Sequence, residues 1–235
     1  MPSIRPTHRT NGLWVWEMKI AVWYHTYISG PTVDLDHGLS IVQEQLSALD
    51  QSGLQAACDE LYIGVSGGES NVCAVDTMAP EKAVIISNAM DTCGELPTLC
   101  ALQQWLPGHE GWAVCYFHTK SAQYKGDAGY RAWRLCQQAV VVWDWQRCVK
   151  DLEDGYDCSG AHWLTPQQYP HLMATPYYAG TFWWARADYL SILPKLSPTG
   201  PSRWEAEAFI GKANRKIKFR DHRPHWPGGN CLAFV

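Results

Sequence analysis

Four short stretches carry residue types that could do chemistry. "GVSGG" at 64–68 fits the G-x-S-x-G pattern, in which a serine nucleophile sits on a sharp turn after a strand. Ser66 would be that nucleophile. The next stretch, "ESNVCAVDTMAP", reads as turn and not helix, and no HGGG-type oxyanion loop occurs. A glycine-rich turn is therefore the better account of Ser66, Gly67 and Gly68. "YFHTK" ends an apolar run in His118, Thr119 and Lys120. A lysine point charge flanked by two hydrogen-bond donors can meet a diphosphate. An ordinary polar strand end explains the same residues. "RWEAEAFIG" offers Glu205 and Glu207, each able to serve as a general base. Residues two apart on a helix face different ways, so at most one of the pair reaches a common site. The tail "KANRKIKFRDHRPHWPGG" gathers six Lys and Arg side chains, from Lys212 to Arg223. Most read as a solvated charge run. Arg220, His222 and Arg223, set among Pro and Trp, are the ones suited to a specific phosphate contact. There is no G-x-G-x-x-G, no phosphate-binding G-x-x-x-x-G-K-[ST], and no His/Cys cluster with zinc spacing.

These residues need elements to position them. The apolar runs "KIAVWYHTY", "DELYIGVSG", "KAVIISN" and "GWAVCYFHTK" predict four strands. Leu39, Val42, Leu46 and Leu49 recur at helical spacing in a segment closed by Gly53. "LPTLCALQQWL" predicts a helix with Pro97 near its start. "GYRAWRLCQQAVVVWDWQRCVKDLEDG" reads as one long helix. "YDCSGAHWL" and "YAGTFWWAR" read as strands, and "ADYLSILPKL" and "RWEAEAFIGKA" as short helices. Strands alternating with helices predict an α/β fold: a single domain whose mostly parallel central sheet is covered by helices on both faces. Ligands of such sheets bind beyond the carboxyl ends of the strands. The residues just after the apolar runs are therefore the expected lining: His25 and Tyr27, Ser66 to Gly68, Asn88 to Asp91, and His118 to Lys120.

The chain has 235 residues, of which 46% are hydrophobic and 18% charged, values that exclude a disordered protein. A formal net charge of −4 argues against a protein that binds polyanions over its whole surface, while leaving a local basic patch open. The nine cysteines are scattered through apolar runs without a C-x-x-C, which predicts reduced thiols and a cytoplasmic protein, in the host cytoplasm if phage-encoded. No apolar run reaches the length of a membrane span, the N-terminus lacks the apolar core of a signal peptide, and no N-x-[ST] sequon occurs. Residues 1–17 differ in character from the rest of the chain. They are expected to be an arm or an upstream extension, with Met18 opening a domain over 18–235.

Five blocks in order carry a family resemblance: "YH-x-Y … EQL-x-x-L-x-x-SGL … YIGV-x-G", "ELPTLCALQQW", the strand ending in "HTK", "C-x-x-x-L-x-x-x-x-D-x-x-G-x-x-W" at 148–163, and "AGTFWWARADYLSILP" followed by "R-x-E-A-E-x-F-I-G". Over 18 to about 211 the chain resembles small bacterial and viral glycosyltransferases of the GT-A type. The resemblance implies a GT-A-like fold, a nucleotide-sugar donor such as a UDP-sugar, and transfer to a hydroxyl. It implies that Gly180, Thr181, Trp183 and Arg186 contact the acceptor, with Phe182 and Trp184 in the core and Trp183 facing the cleft. Of the two acidic residues it favours Glu207 as base. Such enzymes usually carry D-x-D at the end of the fourth strand to hold Mg²⁺ or Mn²⁺; here "HTK" stands in its place. Lys120, Arg220 and Arg223 would then stabilise the leaving diphosphate in place of the metal. A glycan or lipid-linked saccharide is the expected acceptor, and a hydroxymethylated pyrimidine in DNA is the alternative. A hydrolase using Ser66 and a non-catalytic sugar- or nucleic-acid-binding module are the competing classes.

Overall fold

In the computed structural model the described residues are 8–10, 13–15, 18–28, 30, 33–88, 94–171, 173–199 and 204–223, with the backbone alone at 8–10, 13–15 and 88. Two short strands, β1 (His8–Thr10) and β2 (Leu13–Val15), pair with each other. The main sheet starts with β3 (Ile20–Tyr27). Then follow α1 (Leu35–Gln51), α2 (Leu54–Ala57), β4 (Glu60–Ser66), α3 (Glu69–Met78), β5 (Ala83–Asn88), α4 (Leu96–Trp105) and β6 (Ala113–His118). Next come α5 (Ala128–Gln138), a π-helical segment (Ala139–Trp143), α6 (Trp145–Glu153) and β7 (Cys158–Gly160). The strands β8 (Trp163–Leu164) and β9 (Tyr177–Tyr178) form a small sheet of their own. β10 (Trp183–Arg186), α7 (Ala187–Ser191), α8 (Trp204–Ala208), a 3₁₀ turn (Phe209–Gly211) and β11 (Phe219–Asp221) complete the order.

The main sheet has seven strands in the order β5-β4-β3-β6-β10-β7-β11. All run the same way except β10, which is antiparallel to both β6 and β7. Alternation along the strands feeds two separate cores. Val22, Tyr24, Cys115, Phe117 and Trp184 pack toward α1 and α6 on one face. Trp23, Val114, Tyr116 and Trp183 pack toward α4, α7 and α8 on the other. The predicted α/β fold, mostly parallel and covered on both faces, is therefore the one present.

Local chemistry explains the element ends. Asp34 caps α1 by accepting from the His37 amide at 2.9 Å, and Asp127 caps α5 through the Gly129 and Tyr130 amides. Three expectations need correction. Residues 69–78 form α3 and not a turn, although only Asn71 and Val75 of it are buried. Asn71 is held by donating to the Ser66 carbonyl at 3.1 Å. The long helix is broken at its middle by the π-helical turn and by Asp144. The basic tail is not simply solvated. Arg215 grips the buried Asp157 with two bonds of 2.7 and 2.8 Å, and the Lys218 amide donates to the same carboxylate, which fixes the approach to β11. No helix among the described residues is long and apolar enough to cross a membrane. None of the described cysteines is in a disulfide.

Candidate functional site

The topology singles out one place along the sheet edge. From β3 the chain steps outward to β4 and β5, then returns to lie on the other side of β3 as β6. The crevice at the carboxyl ends of β3 and β6 is where such sheets bind ligands. His118 ends β6, and its register partner His25 lies two residues before the end of β3. His25 is fully buried, and burial pushes its pKa down to about 3. Its Nδ1 lies 2.8 Å from the Thr98 hydroxyl, and its Nε2 has no partner among the described residues. Thr98 reaches it across Gly64, where a Cβ would sit 2.0 Å from the Thr98 hydroxyl.

His118 is bound on two sides. Its Nε2 lies 2.9 Å from the Gly180 carbonyl; a carbonyl only accepts, so Nε2 carries the proton. The Glu95 carboxylate stands 3.5 Å from Nδ1. Burial, reinforced by the Lys120 charge, holds His118 well below the usual histidine range. Gln45 donates to the His118 carbonyl at 3.1 Å and accepts from Tyr24 at 2.9 Å, which braces the strand end from below.

Lys120 and Gly180 close the group. The Lys120 ammonium lies 4.0 Å from the centroid of the Trp133 ring. Its stem passes so near Gly180 that a Cβ there would come within 2.7 Å of Cε, and within 2.6 Å of the Gln137 amide. Gly180 also has φ +89°, so glycine is required on both counts. Gln137 donates to the Ala179 carbonyl and holds the same turn from α5. Among the described residues three that are not glycine have left-handed backbones: Ser121, His162 and Thr181. All three lie at this edge, after β6, after β7 and before β10. Left-handed Thr is costly, and strain of that kind collects at functional sites.

The sequence-based candidates divide accordingly. His25, His118, Lys120 and Gly180 meet. Ser66 ends the neighbouring strand β4, where it pairs with Tyr27, and Gly67 follows it. Ser66 itself is buried, has an ordinary strand backbone, and donates to the Gly94 carbonyl at 3.3 Å. Although α3 supplies the helix that a nucleophile turn needs, the left-handed residue is Gly67 and not the serine. Gly68 is the exposed residue before α3. Thr119 is not available as a donor: its hydroxyl accepts from the Tyr27 amide at 2.8 Å and donates to the Tyr27 carbonyl at 3.2 Å, tying the two strand ends together. The Tyr27 side chain packs beside Val33, Ile41 and Ala122. Thr181 adjoins Gly180, buried, with no partner for its hydroxyl among the described residues. Asp91 lies outside the described residues.

Two acceptor candidates fall elsewhere. Trp183 is completely buried and stacks on Tyr116 at 5.1 Å, so it does not face the cleft. Phe182 and Trp184 are equally buried, and Trp184 donates to the Val141 carbonyl at 2.8 Å. The aromatic block thus fills the core on both faces of the sheet. Arg186 stands at the opposite edge, because β10 runs antiparallel: Trp183 pairs with Tyr116 near the end of β6, whereas Arg186 pairs with Ala113 at its start. There it donates to the Leu152 carbonyl at 3.1 Å. Glu205 pairs with Lys212 at 3.6 Å. Glu207 lies near Tyr177, and its charge helps burial to raise that phenol to about 12.

Arg220 lies in β11, three strands from β6, and His222 and Arg223 follow it. They form a second group and do not reach the histidine pair. Arg220 lies 3.8 Å from Asp151 and over the Tyr156 ring. His222 contacts Asp151 at 2.5 Å, and Arg223 contacts Asp221 at 2.7 Å. Among the described residues no three His, Cys, Asp or Glu side chains converge as a metal-ligand set.

No established protein family matches the sequence, and no curated protein does. Among solved structures, the chain is similar to 4-diphosphocytidyl-2C-methyl-D-erythritol synthase, with a TM-score of 0.46 at 12% identity over 89% of this chain and 91% of that one. A likeness that weak assigns neither an activity nor a ligand.

Four residues of the two groups gave no signal in the sequence. Glu95 precedes a helix, Gln137 and Asp151 lie within helices, and His162 lies between two short strands. Each acts only through a partner distant in sequence. The left-handed backbone of His162 has no residue-type signature at all.

Proposed function

We propose that the chain is a glycosyltransferase that moves a sugar from a nucleotide-sugar donor to a hydroxyl acceptor. The observation that carries the reading is the meeting of His25, His118, Lys120 and Gly180 at the crevice between β3 and β6. One cation there stands among histidines that burial keeps neutral, at the sheet edge where open α/β sheets bind ligands. Lys120 would draw the donor diphosphate and stabilise it as it leaves, and Glu207 would take the acceptor proton. The acceptor is a saccharide, free or lipid-linked; the DNA acceptor is the outcome to test against it.

The test is to incubate the protein with a panel of nucleotide-sugars and to measure free nucleoside diphosphate with and without saccharide or hydroxymethylated DNA. Release that depends on a saccharide supports the reading. Lys120→Ala should lower the rate about a hundredfold, since a group that stabilises a leaving oxyanion contributes roughly 3 kcal/mol. Turnover should survive EDTA if Lys120 replaces the metal. Release from no donor, or full activity in Lys120→Ala, would sink the proposal.

A further inference from the structure

The second group of polar side chains surrounds an opening of its own. α6 leads directly into the start of β7, so its first turn lies toward the carboxyl edge, beside the end of β11. Between them is a cavity of about 460 Å³. Asp144 and Arg147 line it from the start of α6, just before the helix and in its first turn, Asp221 to Arg223 from the strand end, and Ala139 and Val140 from the π-helical segment.

His222 is held there by a carboxylate. Its ring is 8% exposed, and its Nε2 lies 2.5 Å from Asp151 Oδ2. The same carboxylate oxygen accepts from the Ser159 hydroxyl at 2.7 Å. An ionised carboxylate can only accept, so Nε2 bears a proton, and in the neutral ring Nδ1 then keeps its lone pair. No described residue bonds to Nδ1. The Asp151–His222 pair therefore fixes both the tautomer and the orientation of an imidazole in the wall of the groove.

The rim is neutral in sum and mixed in chemistry. Arg147 faces Asp144 at 3.6 Å, and Arg223 faces Asp221 at 2.7 Å. A nucleic-acid backbone calls for cations without acidic partners. A sugar hydroxyl is both donor and acceptor, and a guanidinium beside a carboxylate answers both halves. Ala139 and Val140 add an apolar surface of the kind that the C–H face of a sugar ring covers.

We infer that this groove, separate from the crevice between β3 and β6, is a saccharide-binding subsite in which a ligand hydroxyl donates to His222 Nδ1. Its assignment to the acceptor would rest on the glycosyltransferase reading; the binding of saccharide does not.

The test uses the whole chain and saturation-transfer NMR with maltotriose, chitotriose and a thymidine dodecamer as probes at millimolar concentration. Transfer to at least one trisaccharide is expected, and His222→Ala and Arg147→Ala should each weaken it by roughly tenfold, the scale of one lost hydrogen bond to a charged or buried group. Arg147 is 61% exposed, so its replacement leaves the fold intact even if that of His222 does not. Transfer to no trisaccharide, transfer to the dodecamer alone, or binding that survives both substitutions would overturn the inference. Nucleotide-sugar turnover is measured in parallel. Saccharide binding lost in the variants, with no donor ever consumed, upholds the subsite and defeats the glycosyltransferase reading. Donor consumption with saccharide binding untouched by the variants does the reverse.

Discussion

At the scale of single residues, the two carboxylates of α8 make a sharp pair. Glu205 is engaged by Lys212 at 3.6 Å, whereas Glu207 is near enough for its charge to act on Tyr177, which begins the segment leading to the Gly180 turn. A base must come within about 3 Å of the attacking hydroxyl or act through one water. Glu207→Gln keeps the size and removes the base, and is expected to abolish transfer while leaving calorimetric binding of the nucleoside diphosphate nearly unchanged. Glu205→Gln should keep most of the activity. The reverse result would exchange the roles, and two active variants would place the base elsewhere. Which polar residues sit at the cleft was partly legible. His25, His118 and Lys120 follow apolar runs, and a strand's end is readable where the run stops. Thr119 was misread because its hydroxyl serves the backbone of Tyr27, a contact between residues 92 apart.

At the scale of elements, direction decides more than pattern. "YAGTFWWAR" reads as one strand, yet it divides into β9, a left-handed turn and β10, which lie in different sheets. Nothing in the residue types says that β10 runs antiparallel, and that single fact sends Arg186 to the far edge, while Trp183 is buried by the core packed on its face of the sheet. The missed α3 has a similar cause: with Val75 as its one fully buried apolar side chain, it shows almost no helical stripe. The Gly180 turn is the element on which the site hinges. A Cβ at its φ of +89° is strained, and would also overlap Gln137 and the Lys120 stem. Gly180→Ala is therefore expected to destabilise the protein by about 1–3 kcal/mol. It should also displace Lys120 and so lower turnover by more than the loss of folded protein explains. Thermal melts and activity per folded molecule separate the two effects. An unchanged melting temperature would show that the turn is free to shift, and that it does not position Lys120.

At the scale of the whole molecule, the buried histidines set the response to acid. His25, His118 and His162 all have lowered pKa values, in each case with burial as the largest cause; Lys120 adds to it for the last two, and Arg223 for His162. In the unfolded chain a histidine takes up its proton near pH 6.5. Below that pH the unfolded state binds protons that the folded state refuses, so stability falls. Each such histidine removes about 1.4 kcal/mol per pH unit until its own folded pKa is reached, which for His25 is about 3. Asp157 acts lower down. Burial raises its pKa, but Arg215 and the Lys218 amide outweigh burial and hold it below the usual value, so its contribution is lost only as pH falls through the carboxylate range. His25 alone removes about 1.4 kcal/mol over a pH unit in which the unfolded chain is protonated and the folded one is not, and His118 and His162 act in the same direction, against a typical total of about 5–15 kcal/mol. The melting temperature should hold a plateau above about pH 7 and fall steeply between roughly pH 6 and 5, before the carboxylates titrate. His25→Gln removes one of the three and should make that fall shallower, whatever it does to the plateau. A melting temperature that stays level from pH 7 to about 4.5 would mean that the three rings accept protons in the folded state, and hence that water reaches the crevice between β3 and β6.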